Sequence, residues 1–147
     1  MYRRNRPAEV LLIEDNPADA GLTREAFRIL GTTSRLSIVG SATEAMAFLE
    51  RRDDYSSAPR PDIVLLDLNL PGMGGHEFLG WIKAAPALKR IPVIVQSASE
   101  HPEDIRDAYD KGANSYIVKP IDMDGFMTTM RAFEGFWLDA ARLPDGS

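Results

Sequence analysis

Short apolar segments recur along this sequence, separated by stretches that are each long enough to form one helix. The segments cover residues 9–13, 35–39, 63–66, 92–96 and 115–118. Residues 10–13 and 63–66 are continuously apolar instead of alternating with polar residues, a pattern typical of parallel strands covered on both faces. Strands that alternate with helices in this way predict an α/β fold with a doubly wound parallel sheet and right-handed crossovers.

Capping residues indicate where the intervening helices begin and end. Asn16 precedes Pro17, a pair that typically opens a helix, and Gly31 is placed to close it. The later helices are predicted to begin at Ser41 or Thr43, after Gly74-Gly75, at Ser99 or His101, and at Asp122. We expect the last of them to run without interruption to about Arg142.

The length of 147 residues fits a single domain with one sizeable core. We expect a flexible basic segment over residues 1–7, one domain over 8–142 and a flexible tail over 143–147. No output domain is expected to follow the single domain.

Composition argues against several classes of function. A formal net charge of -5 argues against a protein that binds nucleic acid through a broad basic face. The absence of cysteine excludes disulfides, thiolate metal sites and cysteine nucleophiles. The apolar run 10–13 ends at Glu14 and Asp15, so it is too short for a signal peptide or a membrane span. These features predict a cytoplasmic protein that binds neither nucleic acid nor membrane.

Charged and hydroxyl side chains follow the ends of the predicted strands. Glu14 and Asp15 follow the first strand, Asp67 the third, Ser97 the fourth and Lys119 the fifth. Ligands of open α/β sheets bind at the carboxyl ends of the strands, so these side chains are expected to converge. Each of them alone could cap a turn or lie at the surface, and only their joint arrangement favours a functional site.

The predicted cluster of Glu14, Asp15 and Asp67 indicates phosphoryl chemistry. Neighbouring carboxylates repel one another unless a positive charge intervenes, and Mg²⁺ prefers oxygen ligands of this kind. Lys119 supplies a further positive charge, which can pair with a phosphoryl oxygen. A carboxylate can itself accept a phosphoryl group, and the transfer requires mainly positioning and charge stabilisation. Asp67, on the expected central strand, is therefore the predicted phosphoryl acceptor.

The segments that carry these residues resemble the receiver domain of two-component response regulators. The matching segments are 10–15, 67–75, 92–97 and 116–120, and the resemblance extends over about residues 7–140. It implies a flavodoxin-like parallel sheet in the strand order 2-1-3-4-5 with five helices. It also implies that a partner histidine kinase phosphorylates Asp67.

The resemblance further implies which atoms bind the metal ion. Asp15, Asp67 and the backbone carbonyl of Asn69 would bind Mg²⁺ directly, and Glu14 would assist through a water molecule. Mn²⁺ or Ca²⁺ would be able to substitute for Mg²⁺.

The same resemblance assigns a contact and a switch to the remaining residues. Lys119 would contact the phosphoryl group, and its bond to Pro120 would be cis. Ser97 would turn its hydroxyl toward the phosphoryl group, and Tyr116 would move inward with it. This motion would reshape the face formed by the fourth helix, the fifth strand and the fifth helix.

A narrower likeness concerns the upstream partner. Residues 90–95, the loop 53–60 and the ending formed by 136–138 with 143–144 look like those of small stand-alone regulators paired with bacterial phytochromes. This likeness implies that the partner kinase is a bacterial phytochrome and that the signal is red or far-red light.

The last helix carries more apolar residues than one core-facing stripe needs. That stripe consists of Phe126, Met130, Phe133 and Trp137. Its spacing of i, i+4, i+7 and i+11 is typical of a helix face that packs on the core. Met127, Phe136 and Leu138 fall off the stripe, and such additional apolar area predicts a homodimer through this helix.

Two alternatives remain open at this point. A haloacid-dehalogenase-type phosphatase also uses a strand-end Asp with Mg²⁺, but it carries a second Asp two residues later, where this chain has Asn69. A constitutive pseudo-receiver would keep the fold as an interaction module without being phosphorylated. We expect a phosphoacceptor switch and not a turnover enzyme.

Overall fold

The computed structural model describes residues 6–31 and 33–144, and their strands form one parallel sheet. The strands are β1 (Glu9–Ile13), β2 (Arg35–Val39), β3 (Ile63–Asp67), β4 (Val93–Ser97) and β5 (Ser115–Val118). Their order in the sheet is β2-β1-β3-β4-β5, with every neighbouring pair parallel. The predicted α/β fold and its strand order are therefore confirmed. Asp67 and Ser97, predicted to follow their strands, are the last residues within them.

The helices connect the strands and begin at the predicted caps. They are α1 (Pro17–Leu30), α2 (Ala42–Glu50), α3 (Gly75–Ala84), α4 (Pro102–Asp110) and α5 (Met123–Phe133), with a 3₁₀ turn at Asp53–Tyr55. The Asn16 side chain accepts hydrogen bonds from the backbone N–H groups of Ala18 and Asp19, which caps α1. Ser41 caps α2, and Gly31 closes α1 with a φ of 66°.

The last helix departs from the prediction of one continuous helix to about Arg142. It changes at Glu134 into a π-helix, Glu134–Ala140, and the chain is extended from Ala141. Gly135 lies at this change, and glycine is a weak helix former in a helix interior. The wider π turns alter the direction of the side chains that follow. Trp137 and Leu138, which lie on different sides of a regular helix, both pack against the core beneath α5.

Two hydrophobic clusters fill the two faces of the sheet. One cluster lies between the sheet and α1 with α5, and it contains Leu12, Leu65 and Ile94. The other lies between the sheet and α2, α3 and α4. It contains Ile13 and Leu66, the residues that directly follow Leu12 and Leu65 in the sequence. Side chains alternate between the faces along each strand, so the position of a residue in its strand decides which helices it faces.

The predicted flexible segments lie mostly outside the described residues. Residues 1–5 and 145–147 lie outside the described ranges, so the predicted domain boundaries at 7/8 and 142/143 stay predictions. Arg6 contacts the domain, because its guanidinium lies 2.8 Å from the Asp62 carboxylate. Within the described ranges, no helix combines the length and the apolar character needed to cross a bilayer.

Candidate functional site

An ammonium group and two buried carboxylates meet at the carboxyl end of the sheet. Glu14 follows β1, Asp67 ends β3 and Lys119 follows β5, and the alternation of side chains directs all of them toward α1 and α5. Lys119 Nζ lies 2.9 Å from Glu14 Oε1 and 3.3 Å from Asp67 Oδ2. The structure thus brings together residues that are far apart in the sequence, as their strand-end positions predicted.

Asp19 also reaches this lysine, and the sequence analysis missed it. Its Oδ2 lies 3.4 Å from Lys119 Nζ. Asp19 stands in the first turn of α1, where a carboxylate is stabilised by the positive end of the helix dipole. That helix effect accounts for an acidic residue at this position, but it gives no sign that the side chain faces β5. Only the packing of α1 on the sheet reveals the contact.

The carboxylates of Glu14, Asp15 and Asp67 form a cluster suited to a divalent cation. One oxygen from each lies within 4.8 Å of the others. Glu14 and Asp67 are 6% and 5% exposed, whereas Asp15 is exposed. Burying two carboxylates beside a third is unfavourable unless positive charge compensates, and Lys119 alone does not balance them. An all-oxygen ligand set of this kind fits Mg²⁺ or Mn²⁺.

Burial and charge alter the acid–base properties of this cluster. Burial raises the pKa of Glu14 to about 7, the neighbouring Asp67 acts in the same direction, and Lys119 opposes both. For Lys119, burial lowers the pKa, but the contacts with Glu14 and Asp67 outweigh it, so its pKa lies above the usual value. Lys119 is therefore a permanent cation here, while Glu14 exchanges a proton near neutral pH in the absence of metal.

The loop after β3 holds the Asp67 carboxylate in place. The backbone N–H of Asn69 donates to Asp67 Oδ1 at 3.0 Å. The start of α3 lies so close that a Cβ on Gly75 would be 2.5 Å from the Leu68 Cα, so only glycine fits there. The Gly75 N–H donates to the Leu68 carbonyl, which closes the loop. The role of the Asn69 carbonyl as a metal ligand stays a prediction.

Ser97 and Tyr116 lie on the other face of the sheet, toward α3 and α4. Ser97 is only 1% exposed. Its hydroxyl accepts a hydrogen bond from the Ser99 N–H at 3.1 Å. The Tyr116 hydroxyl donates to the Ser99 carbonyl at 3.0 Å. Both predicted switch residues are therefore attached to the same residue of the loop after β4. Their part in a conformational change stays a prediction.

The expected cis bond between Lys119 and Pro120 is not found. The described residues contain no cis peptide bond. The trans form is intrinsically favoured by about 0.5–1 kcal/mol for bonds to proline. The trans bond allows Lys119 to make both of its contacts. Its backbone N–H donates to the Ser97 carbonyl at 2.7 Å, and its Nζ reaches the carboxylates. This expectation was wrong.

Gln96 is a second site residue that the sequence analysis did not single out. It is 6% exposed and occupies the position in β4 that is paired in register with Asp67 on β3. A cavity of about 280 Å³ lies over it, between α1 and the start of α5, and Glu14, Asp19 and Lys119 also line this cavity. The sequence did contain one sign of this role, because Gln96 is a polar residue within the otherwise apolar segment 92–96.

Comparison with known families agrees with this arrangement. The family model described as "Response regulator receiver domain" matches residues 10–131. The chain belongs to the response regulator receiver family. This membership favours the receiver interpretation over the phosphatase alternative.

Individual members of the family cover almost the entire chain. The response regulator Rcp1 of Synechocystis sp. is 38% identical over 140 residues, which are 95% of each chain. The crystal structure of the phosphorylated cyanobacterial phytochrome response regulator RcpA has a TM-score of 0.90 and 41% identity, covering 95% of this chain and 99% of that one. The Mn²⁺-bound form of Rcp1 has a TM-score of 0.89 and 37% identity, covering 95% and 100%.

The relatives support two predictions, the fold of the chain and the binding of a metal ion. The flavodoxin-like receiver fold predicted for this chain is the fold of its relatives. A Mn²⁺-bound relative, together with the cluster of Glu14, Asp15 and Asp67, confirms the prediction of a divalent cation.

Proposed function

We propose that Asp67 accepts a phosphoryl group from the phosphohistidine of a partner kinase in a Mg²⁺-dependent reaction. The observation that carries this proposal is the convergence of Lys119 and the acidic cluster on the buried Asp67 carboxylate. In the transfer, the bond between phosphorus and the imidazole nitrogen breaks while a bond between phosphorus and a carboxylate oxygen of Asp67 forms. The phosphoimidazole reacts with a proton on its other ring nitrogen, so the imidazole keeps that proton and leaves as the neutral side chain of the kinase.

The residues around Asp67 would stabilise the charge that is transferred. Asp15, Asp67 and the Asn69 carbonyl would hold the metal ion, with Glu14 acting through water, and the ion would supply positive charge against the phosphoryl group. Lys119 lies 3.3 Å from the acceptor carboxylate, within reach of a phosphoryl oxygen attached to it. The Asn69 N–H fixes the other carboxylate oxygen, which leaves one oxygen oriented for attack.

The geometry of Ser97 and Tyr116 suggests how phosphorylation is read out. A phosphoryl group on Asp67 offers the Ser97 hydroxyl a charged acceptor, which is a stronger partner than a neutral one. Turning toward it takes the hydroxyl away from the Ser99 N–H, which it now binds. Ser99 also carries the carbonyl that binds Tyr116, so a shift of this loop frees Tyr116 to move inward. The signal then leaves through the face formed by α4, β5 and α5.

Intact-mass measurement tests the acceptor assignment. Incubation with acetyl phosphate and Mg²⁺ should add one phosphoryl group to the wild-type protein, and hydroxylamine should remove it because acyl phosphates are labile. Asp67→Asn should gain none, while the exposed control Asp110→Asn should behave like wild type. A wild-type protein that is never phosphorylated would instead support the pseudo-receiver alternative.

We also propose that the partner kinase is a phytochrome and that the protein acts in the cytoplasm. The support is the likeness to RcpA, whose structure is described as that of a phytochrome response regulator, over 95% of this chain. Purified phytochrome kinase labelled with radioactive ATP should pass its phosphoryl group to Asp67 faster than an unrelated histidine kinase does. Equal rates from both kinases would contradict the assignment.

A homodimer through the last helix is the third part of the proposal. Phe136 is 56% exposed and stacks edge-on against Trp137, with the ring centroids 5.1 Å apart. Trp137 itself packs on the core, so Phe136 is the more informative residue to change. Sedimentation of Phe136→Ser should show a lighter species than wild type. A wild-type protein that already sediments as a monomer would contradict the dimer.

A further inference from the structure

Gln96 buries a hydrogen-bond donor without a partner. Among the residues that the structure describes, two buried side-chain nitrogen atoms make no hydrogen bond, Gln96 Nε2 and His76 Nδ1. The histidine atom lies 2.8 Å from the Asp107 carboxylate, so it has a polar neighbour within the chain. Gln96 Nε2 has no such neighbour. A buried amide donor without an acceptor is costly, which indicates that its partner is something the chain binds.

The cavity over Gln96 has both polar and apolar walls. Gln96 and Lys119 belong to its polar lining, and Leu22 and Phe126 belong to the apolar wall supplied by α1 and α5. A volume of about 280 Å³ is far more than one water molecule needs, so a group larger than water fits. Three carboxylates, those of Glu14, Asp19 and Asp122, line the cavity beside the single ammonium of Lys119, so a free anion is disfavoured there and the acceptor would have to be attached to the chain.

The carboxylates nearby already have other partners. Glu14 accepts hydrogen bonds from Lys119 and from the Asn16 N–H, and Asp67 accepts them from Lys119 and the Asn69 N–H. Gln96 stands opposite Asp67 on the neighbouring strand and points to the same face of the sheet. An acceptor attached to Asp67 would therefore arrive beside the Gln96 amide.

The geometry points to Gln96 as a phosphoryl-binding residue whose Nε2 donates to an oxygen of the group carried by Asp67. This inference rests on the proposed function of Asp67. Gln96 and Ser97 are consecutive in β4 and point to opposite faces, so the phosphoryl group would be held from the α1 and α5 side by Gln96 and Lys119. Ser97 would bind it from the α3 and α4 side. Phosphorylation would thus satisfy the amide that is unpartnered beforehand.

Binding of beryllofluoride, a phosphoryl mimic that attaches to the acceptor carboxylate, tests this inference in the full chain. Fluorine NMR in the presence of Mg²⁺ would give the affinity of wild type, Gln96→Met and Gln96→Glu. Gln96→Met keeps the size but removes the donor, so affinity should fall about tenfold. Gln96→Glu should lose at least as much because it adds a negative charge. The control Ile29→Ala shortens an exposed side chain of α1 outside the cavity and should bind like wild type.

The stability of the same variants separates a binding role from a structural one. Removing an unpartnered buried donor should leave the urea midpoint of Gln96→Met unchanged or raised. A lowered midpoint with beryllofluoride affinity within twofold of wild type would show that Gln96 is structural, and the inference would be wrong. Tighter binding by Gln96→Glu would also overturn it, since that result requires an acceptor at this position.

A measurement on the wild-type protein avoids dependence on any variant. The side-chain amide protons of Gln96 should shift downfield and exchange more slowly with solvent when beryllofluoride binds. Unchanged amide signals in a fully bound protein would contradict the inference. Failure of the wild-type protein to bind beryllofluoride and to be phosphorylated at all would instead contradict the proposed function of Asp67.

Discussion

The two faces of the sheet meet at the same carboxyl edge but carry different kinds of interaction. On the face toward α1 and α5, Lys119 contacts Glu14 and Asp67 as an ion cluster in a largely buried setting. On the face toward α3 and α4, Ser97 and Tyr116 make neutral hydrogen bonds to the backbone of one loop residue. One face therefore holds charge, and the other holds a neutral connection to a loop.

This difference separates chemistry from readout. Ionic interactions in a buried site are individually large, so the first face can bind metal and phosphoryl groups. Neutral hydrogen bonds contribute only about 0.5–1.5 kcal/mol each, so the second face can rearrange when one stronger partner appears. Gln96 and Ser97, consecutive in β4, are the place where the two faces adjoin. Changes on the first face should accordingly have larger effects than changes on the second.

Lys119→Met should have the largest effect on stability. It leaves the buried carboxylates of Glu14 and Asp67 without their cation, and breaking a buried pair typically costs about 3–5 kcal/mol. Urea unfolding at pH 8 without metal should show this loss, and saturating Mg²⁺ should restore part of it. At pH 5 the loss should be smaller, because the Glu14 carboxyl is then protonated.

Lys111→Met is the matched control on the other face. Lys111 pairs with Asp107 at 2.6 Å, but both side chains are more than one-third exposed, so solvent weakens the pair. We expect a loss below about 1 kcal/mol from such an exposed pair. Equal losses for the two lysine variants would remove the distinction between the faces.

Much of this arrangement was predictable because strand ends are visible in a sequence. The apolar runs located β1, β3 and β5, and parallel strands place the residues at their ends along one edge. Glu14, Asp67 and Lys119 could therefore be assigned before the structure was known, although their mutual distances could not. The caps Asn16 and Ser41 were equally readable, since capping depends on local backbone geometry.

The features that could not be predicted depend on packing between elements. Asp19 faces the site only because α1 packs on this side of the sheet, and it carries no local signal of this. Gln96 is visible as a polar residue in an apolar strand, but its unpartnered amide and the cavity over it depend on how α1 and α5 pack. The π-helix after Phe133 likewise reflects how Trp137 and Leu138 both reach the core. Sequence periodicity assumes a regular helix, so it assigned Leu138 to a different side from Trp137.

A pH titration of stability sharpens the comparison through Glu14. Its folded pKa is raised from 4.5 to about 7, so between these values the folded state binds more protons than the unfolded state. The free energy of unfolding without metal should therefore decrease as pH rises through this window. A total of about 3 kcal/mol is expected from a shift of this size. Excess Mg²⁺ should abolish the decrease, because the cation favours the ionised carboxylate.

Glu14→Gln isolates this contribution from the other titrating groups. Glutamine does not ionise, so the difference in unfolding free energy between wild type and Glu14→Gln should contain the Glu14 titration alone. That difference should change mainly between pH 4.5 and about 7 and level off on either side of this window. A difference that is constant throughout would show that burial beside Asp67 does not perturb Glu14.

Tyr116→Phe should have the smallest effect, and it tests whether the second face takes part in the chemistry. The substitution removes the hydrogen bond to the Ser99 carbonyl, so the free energy of unfolding should fall by about 0.5–1 kcal/mol. The rate at which acetyl phosphate labels Asp67 should stay within twofold of wild type, because Tyr116 lies across the sheet from Lys119 and the Asp67 carboxylate. A tenfold slower reaction would mean that the loop held by Tyr116 positions the acceptor itself, and the two faces would then act as one site.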